Sequence, residues 1–176
     1  IYGKTFVDGE KVTGWLPLGN RWYYIANDDY MVTGYYKVGN STYYFDESGL
    51  MKTGWFKING EDYYAASSGA IQAQWVKSLS NWYYVDVDGK MVTGYQTING
   101  AKYYFASSGL MQKGWFKING EDYYAASSGT IQAQWVKSGR NWYYVDTDGK
   151  MVTGDYIIDR KVNYFDNQGL WMNKIN

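Results

Sequence analysis

Residues 54–69 read GWFKINGEDYYAASSG, and this stretch contains the hairpin and turn that recur along the chain. Asn59-Gly60 stands in it between two short runs rich in aromatic and aliphatic residues. An Asn-Gly pair in that setting is the strongest local signal for a β-hairpin, because both central residues of a type I′ turn need a positive φ. The stretch therefore predicts one short hairpin followed by a connecting turn, with no helix.

The register of this hairpin assigns its largest side chains to faces. With the turn at Asn59-Gly60, Lys57 lies opposite Asp62. By the same count Trp55 lies opposite Tyr64, and because side chains alternate along a strand, these four residues share one face. A cross-strand ion pair is the default expectation for Lys57 and Asp62. The same pair recurs at Lys117 and Asp122.

The unit recurs with a period of twenty residues along the chain. A partial leading repeat, residues 1–12, precedes eight repeats in residues 13–172, and residues 173–176 form a tail. An isolated hairpin is marginally stable in water, so repeats of this kind must stack on one another. The sequence therefore predicts an all-β solenoid of stacked β-hairpins in a single module, rather than a conventional globular domain.

Composition excludes several classes of function. The 176 residues include no Cys and no His, which excludes Ser–His and Cys–His nucleophiles, structural zinc sites and disulfides. The 17 basic and 17 acidic residues give no net charge, which argues against nucleic-acid binding. No apolar run is long enough to span a membrane, and no signal peptide opens the chain, so we expect a mature protein or an excised module. The acidic residues recur at turn positions, whereas a catalytic pair is unique, so we expect no enzymatic activity. Residues 86–89 faintly resemble a calcium loop, but Tyr84 and Tyr95 would occupy its first and twelfth positions, where acidic ligands belong, so we expect no metal site.

The repeats fall into three classes that recur every sixty residues. The class is set by the first residues of the second strand: Trp22, Trp82 or Trp142 in the first class, Thr42, Lys102 or Val162 in the second, and Asp62 or Asp122 in the third. Two other positions are natural contributors to the core. These are the middle Tyr of the second strand, from Tyr23 and Tyr43 to Tyr143, and the Met or Ile near the end of each repeat, from Met31 and Met51 to Met151, with Trp171 in that place as an expected end cap.

Residues 74–94, QWVKSLSNWYYVDVDGKMVTG, resemble the choline-binding, or cell-wall-binding, repeats of Gram-positive surface proteins and phage lysins. The similarity extends from Thr13 to about Met172. It implies a left-handed β-solenoid with about three hairpins per turn, in which aromatic side chains and a Met or Leu hold choline between successive hairpins. Residues 93–105 look more like the related glucan-binding repeats of streptococcal glucosyltransferases and the repeats of clostridial toxins.

The residues themselves predict aromatic cages at the first-class repeats. Trp15 and Trp22 share a hairpin face, with Tyr35 expected to close the side and Met31 to form a further wall. Each ring around a quaternary ammonium contributes about 0.5–2 kcal/mol. The same reasoning yields a second cage from Trp75, Trp82, Met91 and Tyr95, and an altered third cage from Trp135, Trp142 and Met151 with Asp155 in the place of the closing ring. Trp55 and Trp115 are further candidates for ligand contact.

The resulting hypothesis is a noncatalytic attachment module that binds choline on teichoic or lipoteichoic acid. It implies a secreted protein associated with the cell wall, without a cofactor. One alternative is a module for α-glucan or host glycan, in which Trp faces stack on sugar rings. A second alternative is a structural spacer or adhesin stalk without affinity for small molecules.

Overall fold

Sixteen five-residue strands follow one another as eight antiparallel pairs. The computed structural model describes residues 6–7, 10–27 and 29–172, and every regular element in that part of the chain is a β-strand. The prediction of an all-β chain of repeated hairpins is thus confirmed. The strands are β1 (Phe6–Val7), β2 (Glu10–Lys11), β3 (Gly14–Leu18), β4 (Arg21–Ile25), β5 (Gly34–Val38), β6 (Ser41–Phe45), β7 (Gly54–Ile58), β8 (Glu61–Ala65), β9 (Gln74–Ser78), β10 (Asn81–Val85), β11 (Gly94–Ile98), β12 (Ala101–Phe105), β13 (Gly114–Ile118), β14 (Glu121–Ala125), β15 (Gln134–Ser138), β16 (Asn141–Val145), β17 (Gly154–Ile158), β18 (Lys161–Phe165) and β19 (Trp171–Met172).

The chain divides into two compact units. The first contains residues 1–78 and 83–92, and the second contains residues 79–82 and 93–176. The hairpins β3–β4, β5–β6 and β7–β8 lie in the first unit, and those from β11–β12 to β17–β18 lie in the second.

The hairpin turns have the backbone that their sequence predicts. Asn59 and Gly60 have φ values of 51° and 85°, as a type I′ turn requires. The register follows, because Trp55 pairs with Tyr64 and Lys57 pairs with Asp62. Turn chemistry therefore decides which side chains share a face.

The connecting segments join each hairpin to the one before it. In the segment after β6, the amide of Gly49 donates to the carbonyl of Asp46 at 2.8 Å and closes a turn. Met51 then forms a β-bridge with Phe45 of its own hairpin, and its amide donates to the carbonyl of Trp22 in the preceding hairpin at 2.8 Å. The equivalent backbone bonds run from Ile71 to Thr42, Met91 to Asp62, Met111 to Trp82, Ile131 to Lys102 and Met151 to Asp122.

The core consists mainly of the last residue of each second strand. Phe45 is fully buried, because Gly34 opposite it has no side chain and Met51 bridges its other side. The middle Tyr residues, which the sequence assigned to the core, are only half-buried; Tyr43, for example, lies between two hairpins. The fully buried set is Ile25, Phe45, Ala65, Val85, Phe105, Ala125, Val145 and Phe165.

A glycine in the connecting segment allows successive repeats to approach closely. A Cβ at Gly89 would lie 2.8 Å from the carbonyl oxygen of Tyr64 and 3.0 Å from Cγ2 of Ile71. The oxygen of Gly89 also accepts a 2.8 Å hydrogen bond from the amide of Tyr64. Because the contacts include backbone, a side chain at this position cannot be accommodated by a rotamer change.

We predict that Gly89→Ala destabilises the protein much more than Gly39→Ala. Both glycines have a positive φ, +76° and +61°, so each substitution places Ala in a left-handed conformation that costs about 1–2 kcal/mol. A Cβ at Gly39 meets nothing within 4 Å, whereas one at Gly89 adds a steric clash worth about 1–3 kcal/mol more. Urea unfolding measures the difference, and equal losses in free energy of unfolding would show that this packing contact is not needed.

Candidate functional site

The first unit contains a cage of three aromatic rings at its first full repeat. The ring centroid of Trp15 lies 6.2 Å from that of Trp22 and 4.9 Å from that of Tyr43, with interplanar angles of 86° and 78°. Trp15 and Trp22 are 36% and 43% exposed, so both rings are open to solvent at the cage mouth. Met51 forms a further wall of a cavity of about 560 Å³. The remaining lining residues are Asn20, Thr53, Ser67 and Ser68.

Two levels of structure position these side chains. Within the hairpin β3–β4, Pro17 pairs with Trp22. Trp15 lies two residues before Pro17, so both indoles project from the same face. Between hairpins, the bond from the amide of Met51 to the carbonyl of Trp22 fixes the next repeat against this face. Tyr43 and Met51 are thereby brought to the two indoles.

Two residues predicted for this cage, Tyr35 and Met31, lie elsewhere. Tyr35 packs edge-to-face on Tyr44 at 5.1 Å, and its hydroxyl donates to the carbonyl of Asp88 at 2.9 Å. The side chain of Met31 packs against the backbone at Gly49. Tyr35 and Tyr43 lie on opposite faces of the hairpin β5–β6. The face that packs on Trp15 is the one that carries Tyr43.

The second unit contains a cage of three tryptophans. The ring centroid of Trp135 lies 6.4 Å from that of Trp142 and 5.4 Å from that of Trp171, at interplanar angles of 86° and 75°. These three indoles line a cavity of about 320 Å³. Asp155, which the sequence placed at the closing position, instead pairs with Tyr164 in the next hairpin.

This third cage exchanges the roles of two positions. Asn163 occupies the place in the repeat that Tyr43 has in the first cage, and Trp171 occupies the place of Met51. The third ring therefore comes from β19, after the hairpin, and not from the second strand of the hairpin. The indole Nε1 of Trp171 donates to Oδ1 of Asn163 at 3.1 Å. Asn163, which stands where the first cage has a Tyr, thus holds the Trp171 ring in place by a hydrogen bond.

Met151 does not lie in the third cage, for which it was predicted. Its amide donates to the carbonyl of Asp122 at 2.9 Å, and its side chain packs at Gly169. In the third-class repeat that contains Asp122, the ring centroid of Trp115 lies 5.4 Å from that of Tyr143, edge-to-face. The equivalent contact in the first unit joins Trp55 and Tyr83 at 5.5 Å.

The third-class repeats carry an ion pair where the first class carries its second Trp. Asp62 Oδ1 lies 2.7 Å from Nζ of Lys57, and Asp122 Oδ1 lies 2.7 Å from Nζ of Lys117. The predicted cross-strand pairs are thus confirmed. Trp55 and Trp115 each pack edge-to-face on the Tyr opposite them and on one Tyr of the next hairpin, and an ion-paired carboxylate stands where the first class has its second Trp. These sites therefore have one indole fewer than the first-class cages.

The residues of the predicted cage of Trp75, Trp82, Met91 and Tyr95 are divided between the two units. Trp75 lies 5.2 Å from Tyr84 in the first unit. The carbonyl of Trp82 accepts the amide of Met111 at 2.9 Å in the second. Met91 forms a β-bridge with Val85, and the hydroxyl of Tyr95 donates to the carbonyl of Asp148 at 2.9 Å.

The second-class repeats are closed by polar contacts. Burial, with smaller contributions from Tyr63 and Asp88, raises the pKa of Tyr35 to about 12, and the pKa of Tyr95 is raised for the same reason. Lys102, at the position that defines the second class, pairs with the carboxylate of Asp148. The hydroxyl of Tyr35 or Tyr95 thus binds the protein's own backbone.

Residues 32–74, 92–133 and 133–174 match the model of a protein family described as the choline-binding repeat. These segments cover well over half of the chain. The chain belongs to the choline-binding repeat family. Residues 74–91 match a second family model, that of a cell wall binding repeat. A search of curated proteins found no match.

Solved structures with choline-binding repeats are similar in fold. CbpJ from Streptococcus pneumoniae is 31% identical with a TM-score of 0.78, and the match covers 92% of this chain and 59% of that one. Choline binding protein F from the same organism is 30% identical with a TM-score of 0.77, over 93% and 58% of the two chains. The choline-binding domain of CbpL from Streptococcus pneumoniae is 25% identical with a TM-score of 0.68, over 92% and 87%. This chain spans about three fifths of the length of the first two proteins.

Sequence reasoning missed three ring or thioether walls of the choline-binding repeats. Tyr43 and Met51 were assigned to the core, and Trp171 was assigned to an end cap. One signal was available for the third cage, since Asn163 and Trp171 depart from the repeat pattern within the same unit. Within the described residues, no group of three or more Asp or Glu side chains is arranged to hold a metal ion, and no helix there is long and apolar enough to cross a membrane.

We predict that the hydroxyl of Tyr35 stabilises the fold only while it is protonated. Its folded-state pKa of about 12 lies above the ordinary value of 10, so its contribution is complete below pH 10 and is lost as the pH rises towards 12. In Tyr35→Phe, the phenolate absorbance should lose one late-titrating group, and unfolding measurements should show a shallower fall in stability between pH 10 and 12. If Tyr35→Phe instead lacks a phenol that titrates near pH 10, the raised pKa assigned to Tyr35 is wrong.

We also predict that the exchange in the third cage can be reversed. Trp171→Met alone leaves two rings, because Asn163 supplies none. It should weaken the binding of a quaternary ammonium ligand by about 1 kcal/mol, or roughly fivefold in affinity. Trp171→Met combined with Asn163→Tyr rebuilds the composition of the first cage and should recover most of that loss. Choline titration followed through the indole signals of Trp135 and Trp142 measures both. If the double variant binds no better than Trp171→Met, the two positions are not equivalent.

Proposed function

We propose that this chain attaches to the cell wall by binding choline residues of teichoic acids in the aromatic cages between successive hairpins. The observation that carries the proposal is the cavity enclosed by Trp135, Trp142 and Trp171, which has no carboxylate in its lining. Indole faces present negative electrostatic potential, so they attract a trimethylammonium group without an ion pair. The first cage provides the same chemistry with Trp15, Trp22 and Tyr43.

Membership of the choline-binding repeat family supports this ligand. The similar Streptococcus pneumoniae proteins are described as choline binding proteins, and one structure of choline binding protein F was obtained in the presence of a peptidoglycan analogue. A cell wall binding repeat within the chain is consistent with attachment to the wall. The role proposed here is binding without catalysis, on the outside of a cell.

The cages should differ in occupancy. The first-class cages have at least two indoles on one face, whereas the sites beside Asp62 and Asp122 have a single indole. In the second class, the hydroxyls of Tyr35 and Tyr95 already bind backbone carbonyls. We therefore assign choline to the first-class repeats.

A comparison of Trp142→Ala with Val162→Ala tests the proposal. The two residues occupy the same place in successive hairpins of the second unit, but only Trp142 lines a cage, whereas Val162 is 69% exposed. We expect Trp142→Ala to lose about one equivalent of bound choline, with less quenching of Trp emission, and Val162→Ala to retain the full stoichiometry.

Calorimetry and fluorescence, with dextran as the competing ligand, complete this experiment. Choline should bind weakly at each site, in the millimolar range or about 4 kcal/mol, and dextran should not compete. Unchanged stoichiometry in Trp142→Ala would contradict the cage assignment. Saturation by dextran without any response to choline would favour a glucan-binding module instead.

A further inference from the structure

A second concavity adjoins the first cage. This groove, here called the connector groove, lies between the connecting segment 46–53 and strand β7, and its volume is about 770 Å³. Met51 and Thr53 line both the connector groove and the cage of Trp15 and Trp22. A group attached to a ligand in the cage therefore has an adjacent space to enter.

The size of the connector groove exceeds what choline alone needs. Cavities of about 300–1,000 Å³ hold ligands of drug size, whereas choline is a small cation that the cage itself can surround. The wall of the groove also differs in chemistry from the cage, because it contains Asp46, Glu47, Ser48, Lys52 and Lys57. Such a surface suits a polar, charged ligand.

One of the two lysines is held in place by the protein. Nζ of Lys52 lies 3.3 Å from Oδ2 of Asp46. Burial of Asp46 opposes ionisation, but hydrogen bonds from Ser48, Leu50 and Lys52 outweigh it and hold its pKa below the ordinary value. Asp46 therefore stays charged, and Lys52 remains its partner.

The other lysine can change partner at little cost. Lys57 pairs with Asp62, but their side chains are 62% and 39% exposed. An ion pair with such exposure contributes only about 0–1 kcal/mol, so an incoming anion can replace the carboxylate. Trp55, 38% exposed, lies two residues away on the same face and offers a ring surface for stacking.

We propose that the connector groove binds the phosphate-bearing chain through which choline is attached to its polymer, and this inference rests on choline binding in the first cage. Lys57 contacts the phosphate, and Trp55 packs against the adjoining sugar or polyol. The cage then recognises the ammonium group, while the connector groove distinguishes a polymer-linked choline from free choline.

The test compares choline, phosphocholine and a single-repeat teichoic acid fragment on the whole chain. The indole signals of Trp15 and Trp22, assigned by substitution, report on this cage separately from the others. Lys57→Gln removes the proposed contact. Lys37→Gln removes the same charge from the same place in the preceding hairpin, where the side chain does not line the connector groove.

We expect the phosphorylated ligands to bind the parent protein about threefold more tightly than choline, with a gain that falls as salt is raised. Lys57→Gln should reduce the affinity for the phosphorylated ligands to that for choline. Lys37→Gln should bind the phosphorylated ligands as tightly as the parent protein does. The affinity for choline should be the same in the parent and in both variants. Equal affinities in the parent, or an undiminished gain in Lys57→Gln, would overturn the inference. If choline itself does not shift Trp15 and Trp22, the proposed function fails at this cage, and the inference fails with it.

Discussion

The structure depends on one backbone hydrogen bond that recurs between neighbouring repeats. A hairpin with five-residue strands cannot bury its own face, so it is stable only against another hairpin. The bond from the amide of Met51 to the carbonyl of Trp22 supplies that contact in a fixed register, since the connecting segment pairs with its own hairpin and with the preceding one. The close approach this requires explains the glycine at Gly89, where the chain touches the backbone of Tyr64. Packing of the repeats and placement of the cages thus have the same origin.

Turn chemistry makes the arrangement within a hairpin readable from sequence. Asn59-Gly60 predicts both the turn and the register of its hairpin, and so the pairing of Lys57 with Asp62. The same register, carried to the first repeat, predicts the shared face of Trp15 and Trp22. The partners from the next repeat were not readable in this way. Whether Tyr35 or Tyr43 meets Trp15 depends on which face of one hairpin packs on the next, and a non-local backbone bond decides that. The prediction therefore succeeded for side chains positioned by local backbone geometry and failed for those positioned by the connecting segment.

The third cage shows how the repeat tolerates change while it keeps its chemistry. A Tyr in the strand and a Met in the connecting segment are replaced by Asn163 and Trp171, and the number of rings around the cavity stays at three. The exchange works because both positions face the same space, and because the amide of Asn163 accepts a hydrogen bond from the new indole. The two cages thus keep three aromatic walls although different positions of the repeat supply the third.

The three classes of repeat divide stability and binding between them. A first-class repeat leaves two Trp side chains partly exposed beside a cavity, which stabilises the fold less than a filled interface would. A second-class repeat places polar groups in the corresponding space, where Tyr95 binds a backbone carbonyl and Lys102 pairs with Asp148. One position at the start of the second strand separates the classes. Trp there leaves a cage and Asp forms an ion pair with the facing Lys, whereas the second class has Thr42, Lys102 or Val162, of which Lys102 pairs with Asp148. Within each unit, repeats with these polar contacts adjoin repeats with open cages, so unfilled aromatic cages are compatible with the stacking that forms them.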